Sequence, residues 1–250
     1  MFSREMRHVH IDSVGSTNSY LVGKAQQLHE TLMLTAREQT AGRGQRGNHW
    51  ESEPGKNLTF SVFTRLEKFP ARRQFAVSEA FALAIVGALE RFGVKARVKW
   101  PNDIYVGDRK ICGILIEHAL MGSELLHTIA GAGINVNQRE FLSDAPNPVS
   151  MSNILSHDTD LEELRLTVAE LVEQAFSAIA DEEGRQSVHR LFLERLWRFD
   201  GQLHPFRDTA SGERFQASID DVDPDGPLIL RLPDGIRRSY LFKQVEFLLR

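Results

Sequence analysis

Apolar and polar residues alternate over 7–12 and again over 57–64 (NLTFSVFT), the two-residue period of half-buried strands. Between them, the β-branched and apolar run 31–37 (TLMLTAR) predicts another strand. Ser16-Thr17-Asn18 predicts a helix start reaching about His29, with Ser16 or Thr17 as its cap. Residues 38–56 hold Gly42, Gly44, Gly47, Pro54 and Gly55, too many breakers for a regular element. From Pro70 the period changes to three and four, and Phe81, Ile85, Leu89 and Phe92 share one face of a long helix ending near Phe92. Strands are predicted near 95–99, 110–118 and 125–136, the last two joined across Met121-Gly122. Residues 138–159, with Pro146 and Pro148, read as loop, and helices follow over about 160–180 and 185–198.

The pattern changes near Phe199-Asp200-Gly201. Beyond it, short alternating strands are punctuated by Gly212, Pro224, Gly226, Pro227, Pro233 and Gly235, as in a small β-barrel. The expected organisation is α+β: a mixed sheet with helices packed on it over 1–198, and a barrel over 199–250. A unit that small buries little surface alone, so it is expected to pack on the larger one.

Composition narrows the function classes. The 250 residues carry Lys+Arg 30 against Asp+Glu 34, a net charge of −4, which lacks the broad cationic balance of a nonspecific nucleic-acid binder. Cys112 is the single cysteine, so no intrachain disulfide forms. Neither a signal-peptide core nor a run of apolar residues long enough to span a bilayer is present, and the expected location is the cytoplasm, with no membrane partner.

Two stretches carry candidate chemistry. GRGQRGNHW at 42–50 fits GxGxxG, but NHWESEPGKN cannot start the helix a dinucleotide fingerprint needs, and neither a P-loop nor a kinase signature is present. A loop with three glycines, Arg43 and Arg46 suits phosphate oxygens, and it equally suits a solvated surface loop. KWPNDIYVGDRKICG at 99–113 sets Lys99 and Lys110 around a Pro-Asn-Asp turn, with a hairpin turn at Gly107-Asp108. It reads either as a plain turn or as a frame for an anionic substrate. Cys112 reads as a small buried hydrophobe. Gly113, and Gly131 and Gly133 in GAGINVN, mark close approach of a ligand or another backbone beside Asn135 and Asn137. His8 and His10 lack further ligands at metal spacing.

The ordered set STN, GRGQRGNHW, KWPND with a following K-x-C-G, and GAGINVN resembles the biotin–protein ligases (biotin–[acetyl-CoA-carboxylase] ligases) across about residues 8–140. The resemblance implies a class II synthetase-like catalytic domain and a small SH3-like C-terminal domain. It also implies two reactions: ATP adenylates the biotin carboxylate, and the mixed anhydride acylates a lysine of a biotin carboxyl carrier protein of a carboxylase. Biotin, ATP and Mg²⁺ are thereby expected.

By the same resemblance, Ser16, Thr17, Asn18, Gln39, Gly42, Arg43, Lys110, Gly113, Gly131 and Gly133 surround biotin. Arg43, Arg46, Trp50, Lys99, Asn102, Lys110 and Asn135 surround ATP, with Mg²⁺ near Asn102. Arg43 and Lys110 would stabilise charge at the α-phosphate, and Asp103 would take the acceptor lysine's proton. The loop departs from the family pattern GRGRRGRxW at Gln45 and Asn48. Only 15 residues precede Ser16, so a ligase without operator binding is expected. A lipoate ligase or octanoyl transferase, or a biotin sensor without turnover, are the rival readings. A sheet-edge strand able to pair two subunits makes a homodimer a further expectation.

Overall fold

A computed structural model describes residues 6–44, 48–142 and 147–249. A seven-stranded sheet has the order β1 (Arg7–Val14), β2 (Leu32–Gln39), β3 (Leu58–Thr64), β7 (Glu124–Ile134), β6 (Arg109–Met121), β5 (Asp103–Val106), β4 (Arg97–Lys99). Only β1 and β2 run parallel; the other neighbours are antiparallel. A mixed α+β architecture follows, as the element pattern predicts.

Helices cover one face. α2 (Phe75–Arg91) lies on the sheet, and α4 (Leu161–Ala178) and α5 (Glu182–Glu194) pack against α2. Aromatic contacts run through these layers: Phe60 of β3 to Phe81 of α2 at 5.8 Å, then Phe81 to Phe176 of α4 at 6.1 Å. Phe81, Ile85 and Leu89 are fully buried, so the three- and four-residue spacing does mark the core face. On the other face, α1 (Thr17–Lys24) packs on β2, β3 and β7, through Leu21, Leu34, Phe63 and Ile129.

Several boundaries differ from expectation. α1 stops at Lys24 and continues as a 3₁₀ turn over Ala25–Gln27, and Ser16 occupies the cap position without a side-chain cap bond. Ala71–Arg73 is likewise a 3₁₀ turn before α2. β5 and the short α3 (Met151–Leu155) fall within stretches read as turn and loop. α3 carries a capping box in which Ser150 and Asn153 satisfy each other's backbone N–H groups. α5 ends before residue 195 because Val98 takes the next residues into a parallel bridge: Val98 N–H donates to Arg195 O and Trp197 N–H to Val98 O. The hairpin turns at Gly107 and Gly122 are as read, and both glycines adopt positive φ, 58° and 62°.

The C-terminal strands form a second, five-stranded antiparallel sheet in the order β11 (Arg237–Tyr240), β10 (Leu228–Arg231), β9 (Arg214–Val222), β8 (His204–Asp208), β12 (Val245–Phe247). It shares one core with the larger unit: Phe206, Val222 and Leu228 join the cluster that holds Phe75 and Phe192. Trp100 Nε1 donates to Gly226 O at 2.9 Å, and Trp197 packs on Tyr105 and Phe247. Among the described residues, no helix is long and apolar enough to cross a membrane.

Candidate functional site

Strand register decides which side chains meet on the sheet face that α2 leaves open. Gly113 on β6 stands opposite Asp103 on β5 and Gly133 on β7, and Lys99 on β4 stands opposite Asp103. Gly131 stands opposite Leu115 on β6 and Ser61 on β3. Opposed residues share a face, so the motifs at 99–113 and 131–137 converge although they are far apart in the chain. Their alternates, Cys112, Ile114, Ala132 and Ile134, point into the core.

The convergent face lies in a cleft of about 1120 Å³, whose far wall is the turn between the last two strands of the second sheet, through Phe242 and Lys243, with Phe247 of β12. One end is a polar floor. Gln39 Oε1 accepts from the Thr17 backbone N–H at 2.8 Å and lies 3.1 Å from Thr17 Oγ1. Ser61 Oγ contacts Thr17 Oγ1 at 2.7 Å and donates to Asn18 Oδ1 at 2.5 Å. A Cβ on Gly131 would overlap Asn18 Oδ1, which explains glycine there.

The other end is charged. Lys110 Nζ pairs with Asp103 Oδ1 at 2.6 Å, both side chains less than a third exposed. Lys99 Nζ lies over the Tyr105 and Phe247 rings at 4.9 and 5.4 Å. Burial pushes the Lys99 ammonium below its ordinary range, against the pull of Asp103. Asn135 is buried; its Nδ2 donates to Val149 O, while Oδ1 has no hydrogen-bond partner. Asn102 Nδ2 donates to Ile114 O at 2.5 Å. Cys112 is fully buried and its thiol is pushed up by burial, in keeping with a packing role.

The two ends of the glycine-rich loop, 42–44 and 48–50, pair over the centre. Arg43 and His49 form a bridge, Gly44 N–H donates to Asn48 O, and Trp50 N–H donates to Gly42 O. The Trp50 indole then lies on the strand glycines: a Cβ on Gly113 would sit 2.8 Å from Trp50 Cζ3, and one on Gly133 would overlap Trp50 Nε1. Lys110 Nζ is 5.6 Å from the same ring centroid, and Trp50 Nε1 is buried without a hydrogen-bond partner. Behind the loop, Gln138 joins Glu51, Asn57 and the Glu53 backbone in one network.

Ser16, Thr17, Asn18, Gln39, Arg43, Trp50, Lys99, Asn102, Asp103, Lys110, Gly113, Gly131, Gly133 and Asn135 all line this one cleft. Gly42 instead lies in one of the paired loop ends, where a Cβ would stand 2.6 Å from Trp50 O. Arg46 and Gln45 lie outside the described residues. Asn137 turns away, its amide holding Thr159 and Ser152. The motif reading missed Ser61, Tyr105 and the wall at Phe242, Lys243 and Phe247. Ser61 had a signal, a hydroxyl alternating with Phe60 and Val62; the wall had none.

Residues 11–135 match the model of the Biotin/lipoate A/B protein ligase family. The bifunctional ligase/repressor BirA of Escherichia coli is 40% identical over 238 residues, 93% of this chain and 71% of that protein. The chain belongs to the biotin/lipoate A/B protein ligase family. Within it, the biotin–[acetyl-CoA-carboxylase] ligase of Paracoccus denitrificans is 31% identical over 88% of this chain and 92% of its own length. The match to Salmonella typhimurium BirA spans only 42% of that protein. The fold is similar to that of Aquifex aeolicus biotin protein ligase, solved with biotin and ATP: TM-score 0.79, 23% identity, 96% of this chain and 97% of that one.

Proposed function

We propose that this chain is a biotin–protein ligase. It activates biotin with ATP as biotinyl-5′-AMP, releasing pyrophosphate, and transfers the biotinyl group to a lysine of a biotin carboxyl carrier protein, releasing AMP. The observation that carries the reading is one cleft with a neutral hydrogen-bonding floor at one end and Lys110, Asp103 and Lys99 at the other. A cyclic urea needs donors and acceptors in a small space, which Thr17, Gln39, Asn18 and Ser61 provide; a lipoyl or octanoyl tail has no N–H or C=O to offer them.

In the first step a biotin carboxylate oxygen attacks the α-phosphorus and pyrophosphate leaves. Negative charge grows there, and Lys110 and Arg43 are the cations assigned to it. Lys99 and Asn135 are assigned to the nucleotide, and Trp50 to covering it. In the second step the acceptor amine attacks the acyl carbon and AMP leaves, with Asp103 taking the amine's proton. The paired segments Gly42–Gly44 and Asn48–Trp50 help shield the anhydride from water.

Mg²⁺ binds few protein carboxylates and relies on phosphates and water. Asp103, Asn102 and the unpartnered Asn135 Oδ1 suit such a site, and the ion would offset triphosphate charge. The second sheet, five short antiparallel strands on the cleft wall, is assigned the role of the SH3-like domain over 199–250. β1 is an edge strand, and a homodimer would form by pairing there. A cytoplasmic location, where ATP and an apo acceptor are at hand, is part of the proposal. The test combines this protein, biotin, MgATP and an apo acceptor domain. Mass spectrometry should show one biotinyl adduct on the acceptor lysine, and an unmodified acceptor overturns the reading.

A further inference from the structure

Glu117 belongs to none of the motifs, yet it joins the glycine-rich loop to the polar floor. On β6 it lies two and four residues past Leu115 and Gly113, hence on the same open face. One carboxylate oxygen, Oε1, pairs with Arg43 Nη2 at 2.9 Å; the other, Oε2, accepts from Asn18 Nδ2 at 2.9 Å. Arg43 Nη1 also donates to Ser19 Oγ at 2.9 Å, just beyond Asn18. Arg43 is therefore held by a strand and a helix, outside its own loop.

The two oxygens have different tasks. Asn18 is 3% exposed, and its Nδ2 also donates to Leu115 O at 3.1 Å. Two acceptors on one side fix the amide's orientation, so Oδ1 must face the floor, where Ser61 Oγ donates to it. The Ser61 proton is then spent on Asn18, while the Thr17 hydroxyl donates to Gln39 Oε1 at 3.1 Å. Thr17 Oγ1 is left with lone pairs for a ligand N–H. At the other oxygen, the guanidinium is 44% exposed in its side chain and has room to leave if its anchor is lost.

We infer that Glu117 is a positioning residue, one oxygen setting the polarity of the biotin floor and the other latching Arg43 over the cleft. The inference rests on the ligase reading. A glutamine at this position offers one acceptor and one donor, so it can serve Asn18 or Arg43 but not both. Asn18 Nδ2 is the buried partner and takes the glutamine's oxygen, so the donor end faces the exposed Arg43 and releases it. An alanine loses both anchors.

The experiment compares wild-type protein with E117Q, E117A, R43Q and the E117Q/R43Q double variant. Biotin affinity is measured calorimetrically without ATP, and escape of biotinyl-5′-AMP is measured without acceptor. E117Q should bind biotin within about twofold of wild type yet release the adenylate about tenfold faster. E117A should lose about tenfold in biotin affinity as well. The double variant should release the adenylate no faster than R43Q alone, because the pair acts as a unit. Wild-type retention in E117Q, or multiplicative loss in the double variant, overturns the assignment. Equal loss of biotin affinity in E117Q and E117A overturns the division of tasks. A wild-type protein that forms no biotinyl-5′-AMP fails at the ligase reading itself, a different result from any of these.

Discussion

The central strands β6 and β7 present two faces built on opposite principles from alternate residues of the same segments. Toward α2, Cys112, Ile114, Ala130, Ala132 and Ile134 fill space, and all are buried. Toward the cleft, Gly113, Gly131 and Gly133 remove volume, and the space they leave is met by Trp50 and Asn18. Burial rewards bulk on the first face, whereas any added bulk on the second displaces an indole or an amide. Packing and chemistry are thus separated by one residue of register, and a slip of one residue would destroy both.

The comparison breaks most visibly at Lys110. If the open face carries the reaction, Lys110→Ala should slow adenylation by roughly 10²–10³-fold, read as pyrophosphate release, while the melting temperature stays near wild type. A variant within tenfold of wild type would remove Lys110 from the reacting centre.

The next test sets the faces against each other. Ile134→Ala should cost about 2–5 kcal/mol of unfolding free energy and leave the KM for biotin unchanged. Gly131→Ala should do the reverse, raising that KM about tenfold with a smaller loss of stability, since its Cβ would overlap Asn18 Oδ1. If both variants lose only stability, the open face is packing after all.

The smallest effect concerns the packed side. Glu79 on α2 is 1% exposed and sits 2.7 Å from His189 Nδ1 on α5. The Glu79 carboxylate raises His189 above its ordinary 6.5 despite burial, helped by Asp221 and Asp223. A raised histidine favours the fold below 6.5, and that contribution is lost as pH rises through the folded value. The melting temperature should therefore decline modestly above neutrality, and His189→Gln should flatten this dependence without altering the biotin KM. A slope unchanged in that variant would assign the pH dependence to other groups.

Much of the frame was legible because it depends on short-range rules. The spacing of Phe81, Ile85 and Leu89 marks a surface that must be buried, and it is. The alternation at 57–64, by contrast, predicts a half-buried strand, and β3 is buried on both faces, between α1 and α2. β5 was missed because Pro101, Asn102 and Asp103 signal a turn, and the strand after them is held by β4 and β6. The helix predicted over 185–198 ends at Glu194, because nothing local shows that Val98 captures Leu196. Of the site, the residues of the ordered motifs were readable, but Glu117 was not. An acid on a strand looks like a solvated position until Arg43 and Asn18 arrive from segments 74 and 99 residues away.

Sequence alone determined the alternation of strands, the amphipathic helices, the glycines where bulk is excluded, and the ordered motifs that indicate biotin ligation. Those follow from backbone sterics, hydrophobic period and residue chemistry, which act over a few positions. Tertiary structure decided which face of the sheet stays open, that Trp50 lies on Gly113 and Gly133, and that Phe242, Lys243 and Phe247 complete the cleft. It also decided that one carboxylate serves both loop and floor. Such contacts join residues distant in the chain, and their energies exist only once the sheet register has brought them within reach of one another.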